Sequence, residues 1–326
     1  MSRQRRAALG LATVLLVGAC AAPLPVPDPD PEPLVVQPAM TEAQADRIMA
    51  DFAAVLATAD GSTATSALDT RLTGPALALR LNEYALRTSG LTEEVTAIPT
   101  AAQTVVVPAT DAWPRTLMAV TEPPADLQAP LLLAFTQEGP RDRYRLWAWV
   151  RLFPGVTTPP FARADVGAAP IAPDSADLAM SPEGVLLGYL DLLTSGDASE
   201  YATAFLPDPL RDGIVGTRTA YTELVGDNGT LVETYNPAGE GVQAIGTYDG
   251  GAIVVGAIET VTTITLSDST LTLGGEVAAM LGRTTVETSL AFTWLSVVAF
   301  HVPPAGSTDP VEVLGAEHTL TSVTGE

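Results

Sequence analysis

Between Arg141 and Phe153 polar and apolar residues alternate with a period of two, so a strand here carries Arg143, Arg145, Trp147, Trp149 and Arg151 on one face. Tyr144, Leu146, Ala148, Val150 and Leu152 occupy the other face and read as core. The first set has the chemistry of a site for an anion or a sugar. Indole planes stack on rings and cations, and guanidinium forks grip carboxylate or phosphate through paired hydrogen bonds. The same face would also suit packing against helices, a neighbouring domain or nearby acids. Acids are plentiful, with 38 Asp plus Glu against 16 basic residues and a net charge of -22. Packing is therefore the preferred reading of this face, and ligand binding the alternative.

Other chemistry is poorly supplied. All 16 basic residues are arginine, which removes Schiff-base and phosphate-loop lysine chemistry. The net charge argues against nucleic acid as a partner, because neutralising phosphates needs a basic surface. The two histidines, His301 and His318, are too far apart in sequence for the usual zinc motifs. His301 alternates with Val297 and Ala299 on an expected strand, and His318 lies near the C-terminus, so both read as ordinary strand or surface residues. No Gly-x-Ser-x-Gly elbow occurs, and nothing points to a Ser-His triad. Gly239-Glu240-Gly241-Val242-Gln243-Ala244 mimics a dinucleotide fingerprint but leads from a loop into a strand, the wrong context, and is read as a glycine-rich turn. A glycosidase-type acid pair needs carboxyls roughly 5 to 10 Å apart, and sequence cannot pick two from 38 candidates. Leu290, Phe292 and Trp294 alternate as a core face. No catalytic residue, metal ligand or cofactor site is expected.

The one cysteine, Cys20, has a specific context. Arg3, Arg5 and Arg6 precede an uncharged apolar run from Ala7 to Ala19, which reads as a secretory signal and is too short for a membrane-spanning helix of about 20 residues. Gly18-Ala19-Cys20 resembles the lipobox of bacterial lipoproteins. That resemblance implies a diacylglycerol thioether on Cys20, cleavage before it and acylation of the new amino group. The alternative is an ordinary signal peptide cleaved after an Ala-x-Ala site. Arg5-Arg6 alone is a weak indication of twin-arginine export. Several acyl chains anchor a protein without a spanning helix. Prolines at 23, 25, 27, 29, 31, 33 and 38, interleaved with Asp28, Asp30 and Glu32, then read as an extended polyproline II spacer. At ~3.1 Å per residue this spacer reaches roughly 60 Å from the membrane.

The elements that must position the alternating strand follow the spacer. Thr41-Glu42-Ala43-Gln44 has the form of a capping box, and Ala45, Ile48, Phe52, Val55 and Ala59 continue at helical spacing, giving a helix over 42–59. Pro75 and Gly90 bracket a second helix. Strand-like runs follow at 104–107, 117–120, 131–136 and 144–153. A Pro- and Ala-rich stretch then separates a second series. That series has a helix capped by Ser181 with Pro182 at its first position, helices at 198–205 and 217–225, and strands at 242–248, 252–266, 270–273, 289–302 and 311–314. The expected class is α+β, with two tandem domains, each made of helices followed by a curved antiparallel sheet. The expected segments are a signal peptide (1–19), Cys20 and spacer (20–39), a first domain (40–153), a linker (154–180) and a second domain (181–326). The shared element order, with Met40-Thr41 and Met180-Ser181 opening equivalent helices, reads as a duplication. By analogy of element order alone it is similar to cone-like, nuclear-transport-factor-2-like domains. Residues 40–165 hold 10 Arg against 14 acids, and residues 181–326 hold 3 Arg against 19 acids, so an arginine-rich strand of the first half could meet acidic surface of the second.

Leu72-Thr73-Gly74-Pro75-Ala76-Leu77 with Asn82-Glu83-Tyr84-Ala85, and Phe300-His301-Val302-Pro303-Pro304 with Val313-Leu314-Gly315-Ala316-Glu317, resemble an uncharacterised family of actinobacterial lipoproteins. The resemblance implies a lipid-anchored extracytoplasmic protein and no catalytic residues. The expected role is a non-catalytic binding or assembly module of the cell envelope, on the outer face of the cell membrane, with an envelope component or membrane protein as partner. The alternative is an envelope hydrolase using carboxylate acid/base chemistry. Cys20→Ser should release unmodified protein from the membrane or leave an unprocessed precursor in fractionated cells; unchanged processing with unchanged membrane attachment would refute lipidation.

Overall fold

The computed structural model describes residues 36–326 apart from Glu93 and residues 124–127. The expected signal peptide, Cys20 and most of the expected spacer lie outside the described residues. Residues 36–326 gather into one compact unit. The fold class is α+β, and the element order in each half is helices followed by antiparallel strands.

Helix α1 (Glu42–Asp60) starts where the capping box places it, with the Thr41 N–H donating to Gln44 Oε1 at 2.8 Å. It buries Ala45, Met49, Phe52, Leu56 and Ala59. Helix α2 (Gly74–Thr88) has proline in its first turn, where the missing N–H costs nothing. Strands β1 (Ala102–Val106), β2 (Arg115–Thr121), β3 (Leu131–Gln137) and β4 (Arg145–Arg151) then form an antiparallel meander in sequence order. Phe52 meets Phe135 edge to face at 5.5 Å, fixing α1 on this sheet.

In the second half, helix α3 (Pro182–Ser195) carries the expected cap, with Ser181 Oγ accepting from Gly184 N at 3.1 Å. The next helix differs from the sequence reading. Residues 198–205 are not helical beyond a short 3₁₀ turn, whereas helix α4 runs Pro209–Val225. The start of α4 is set by Asp208, whose carboxylate accepts from Arg211 N and from the Tyr189 hydroxyl, both at 2.9 Å, followed by Pro209 at the first helical position. Strands β5 (Gly229–Pro237), β7 (Ala252–Leu266), β10 (Ser289–Val302) and β11 (Glu312–Gly325) form the second sheet in the order β11-β10-β7-β5, with β6 (Gln243–Gly246) also paired to β7. A small excursion between β7 and β10 holds β8 (Leu271–Thr272), helix α5 (Gly275–Leu281) and β9 (Thr285–Val286).

Strand β7 is apolar without alternation from 252 to 258 because both of its faces are covered. Ile253, Val255 and Ala257 join a core that includes α1, α2 and the first sheet, while Val254 and Ile258 join the core beneath α3. β10 divides in the same way: Val297 and Ala299 face the first half, and Val298 and Phe300 face α3. The first half's core therefore extends into the second sheet. The expected linker is woven into this joint. Ala168 N bonds to Val107 O of the first half, and Gly246 N of the second bonds to Ala169 O.

The two sheets meet where β4 ends against β11. Leu152 and Gly315 form an antiparallel bridge, and Phe153 N donates to Leu314 O at 2.9 Å. A Cβ on Gly315 would collide with the Arg151 carbonyl, so only glycine allows this approach. Gly315→Ala should destabilise the protein by about 3 kcal/mol. A thermal melt that matches wild type would show that the joint can yield.

Candidate functional site

The five residues of the alternating face have different fates. Both faces of β4 are buried. Trp147 lies against Gly74, where even a Cβ would press on the indole, and the positive φ of Gly74 also favours glycine. Trp149 is 1% exposed, with the Arg80 guanidinium 5.4 Å from its ring centroid. These two indoles are core, as the packing reading expected. Arg145 and Arg151 are half-buried. Arg151 donates to Ala129 O at 3.1 Å and lines a small polar cavity of about 200 Å³ with Thr96, Thr121 and Gln128. Its charge also acts on Glu317 of β11 in the second half: burial pushes that carboxyl up, Arg151 opposes the shift, and Glu83 adds to it. Only Arg143 is fully exposed.

Arg80 was not among the sequence candidates and is the most deeply buried charge of this region, at 0% exposure. Its Nη2 donates to Thr96 O at 2.9 Å, and its Nη1 lies 2.9 Å from Glu83 Oε2 and 3.7 Å from Asp60 Oδ1. Tyr84 donates to Asp60 at 2.5 Å, and burial followed by this carboxylate drives the phenol well above its usual range. A cation taken fully out of water and ringed by acids is a structural device of the helix–sheet contact.

Arg143 instead opens onto a cleft of about 530 Å³, where it is joined by Arg47 of α1, Arg71 of the turn before α2 and Arg115 at the start of β2. Arg71 is 7% exposed and pairs with Asp51 at 2.9 Å. Its carbonyl accepts from Leu146 N at 2.7 Å, so β4 holds it in place. Arg115 is fixed from two sides: its guanidinium lies over the Trp113 ring at 4.0 Å, and its Nε donates to Ala112 O at 3.1 Å. Tyr144, beside Arg143, is 6% exposed. Burial pushes its phenol up to about 12, with Arg115 working in the other direction, so it is a neutral donor at physiological pH. Asp51 and Asp142 are the acids of the cleft. Among the described residues, Arg47, Arg115 and Arg143 make no ion pair within 4.0 Å, in a chain with 38 acids to 16 arginines.

Sequence reasoning reached Arg143 through the strand pattern and missed Arg47, Arg71 and Arg115, which come from three other segments. The signal that was available is regional, namely the 10 arginines of residues 40–165 against 3 of residues 181–326.

Both histidines sit on strands, His301 on β10 as expected and His318 on β11, which runs well past the strand expected at 311–314. His301 Nε2 is 3.4 Å from Asp249 Oδ2. Burial raises Asp249, but the Thr247 hydroxyl, Gly251 N–H and His301 outweigh it and hold the carboxyl below its usual range. His318 stacks on Trp294 at 4.7 Å, and its Nδ1 lies 2.8 Å from Ser296 Oγ. Desolvation lowers its pKa, with Glu233 opposing. Ser296 is 1% exposed, which keeps its hydroxyl from any substrate and makes it a fastener for the ring. No group of three or more potential metal ligands occurs among the described residues, and no described helix is long and apolar enough to cross a membrane.

These features define an α+β protein whose arginine cleft is open and electrostatically unsatisfied. The chain belongs to a family described as a domain of unknown function, DUF8094, which matches residues 36–325. No curated protein and no solved structure matches it, so the analogy with cone-like folds rests on element order alone.

Removing Arg80 would leave the partly buried Glu83 and Asp60 without their cation. Arg80→Met should cost about 3 to 5 kcal/mol in denaturant unfolding. A loss below about 1 kcal/mol would mean that water reaches the site and the pairing is surface-like.

Proposed function

We propose that this protein is a lipid-anchored, extracytoplasmic binding module of the cell envelope, and that the arginine cleft is where it takes an anionic group of an envelope component or membrane protein. The observation that carries the reading is the gathering of four arginines against two acids in one cleft. Three of the four, Arg47, Arg115 and Arg143, make no ion pair, so the cleft keeps a positive balance in a chain with a large surplus of acids. Guanidinium is the group best matched to paired recognition of carboxylate and phosphate. Arg115 is already immobilised on Trp113, and Arg71 by Asp51 and the backbone of β4, so little ordering entropy remains to be lost on binding.

The overall negative charge complements this local one. A body at -22 repels long polyanions at a distance, while a short anionic end group can still enter a cleft whose own balance is positive. Anchoring by Cys20 and the proline spacer would hold the cleft within reach of envelope material; that part of the reading stands on the sequence.

A thermal-shift panel of phosphate, sulfate, citrate, succinate and glucuronate on residues 36–326 tests the cleft. At least one anion should raise the melting temperature of the wild type and not that of an Arg47→Ala/Arg143→Ala double variant. No shift with any anion, or equal shifts in both proteins, would remove the cleft as a binding site.

A further inference from the structure

The cleft carries information about its anion beyond the sign of the charge. Four arginines stand against Asp51 and Asp142, so a singly charged occupant leaves a positive surplus and a doubly charged one balances it. The deepest arginine of the lining is incompletely satisfied. Arg71 Nε has no hydrogen-bond partner, although its side chain is more than nine-tenths buried, while the Tyr144 hydroxyl beside it faces the Arg115 guanidinium. Buried donors in this state are costly unless something arrives to accept from them.

The cleft's donors approach from different sides, since Arg47 lies on α1, Arg71 before α2, Arg115 at the start of β2, and Arg143 with Tyr144 ahead of β4. A carboxylate offers two oxygens in one plane. A phosphoryl group offers three terminal oxygens around a tetrahedron, which suits donors from several directions.

Resting on the anion-binding reading above, we propose that the ligand is a phosphate monoester held as its dianion among Arg47, Arg71, Arg115 and Arg143. The monoester is either a soluble sugar phosphate or the headgroup of a phosphomonoester lipid, and the cleft chemistry is the same for both.

The pH dependence separates this from anions whose charge stays fixed between pH 7.5 and 5.5, such as glucuronate and dimethyl phosphate. The charged or titratable groups facing the phosphoryl are the four arginines, Asp51, Asp142 and Tyr144. The arginines keep their charge throughout, and Tyr144 stays protonated. Protonating an aspartate would strengthen the binding of any anion. A monoester loses its second charge near pH 6, which weakens binding, so acidification acts in opposite directions on the two explanations.

Isothermal titration of residues 36–326 with glucose 6-phosphate, dimethyl phosphate, succinate and glucuronate, at pH 7.5 and 5.5, provides the test. Glucose 6-phosphate should bind at least tenfold more tightly than the singly charged anions and more tightly than succinate, and should weaken at pH 5.5. The exposed variants Arg47→Ala and Arg143→Ala should each lose about tenfold, and Arg283→Ala, which removes the same charge far along the chain, should lose nothing. Flotation with phosphatidic acid vesicles against phosphatidylglycerol vesicles identifies the source: retention on the first alone points to the lipid, and retention on neither, with glucose 6-phosphate still binding, points to the soluble ester. Equal binding of glucuronate or dimethyl phosphate, preference for succinate, or tighter glucose 6-phosphate binding at pH 5.5 would overturn the monoester assignment while leaving the cleft an anion site. Binding of no anion at all would remove both.

Discussion

The close approach of Gly315 to the Arg151 carbonyl is the constraint around which the molecule is arranged. It lets β11 of the second sheet run against β4 of the first, so the two sheets share a core instead of meeting through a polar surface. Once that contact exists, β4 has no free face. Its indoles go under α2, its arginines are divided between the seam and the surface, and the segment just ahead of it, bearing Arg143 and Tyr144, is left to face α1 across an open cleft. The site is thus what remains exposed after β4 has been covered on both sides.

Charge follows the same geometry. Arginines near the seam are drawn in among acids: the buried Arg80 lies 2.9 Å from Glu83, where low dielectric makes pairing obligatory, and the charge of Arg151 opposes the upward shift that burial gives Glu317. Arginines away from the seam sit in solvent, where a surface ion pair contributes little and nothing forces a carboxylate to be present. Unpaired Arg47 and Arg143 are tolerated there without threatening the fold, which is the condition a binding residue needs.

Much of this was legible in the sequence wherever one local rule dominated. Thr41 with Gln44, Ser181 with Pro182, and the alternation from 144 to 152 each produced the element they announce. Failures came where tertiary partners decide. Asp208 reads as one acid among many until Tyr189 and Arg211 are seen to converge on it, and so α4 begins eight residues before the periodic pattern at Thr217. β5 alternates Leu231, Glu233 and Tyr235 with outward residues, but its buried polar members depend on Arg218 of α4, a pairing that no linear pattern encodes. The cleft was the least legible feature, because three of its four arginines lie in segments unrelated by spacing.

The double burial of β7 also bears on how such a chain can change over generations. Ile253, Val255 and Ala257 serve one core while Val254 and Ile258 serve the other, with no solvent-facing position between them to absorb drift. A substitution that suits one core moves the strand relative to the other, so the two halves are obliged to vary together. Whatever their origin, they are not interchangeable parts. A half recombined from a distant relative would bring a sheet face shaped for a different companion, and lineages carrying this fold are expected to exchange it whole or not at all.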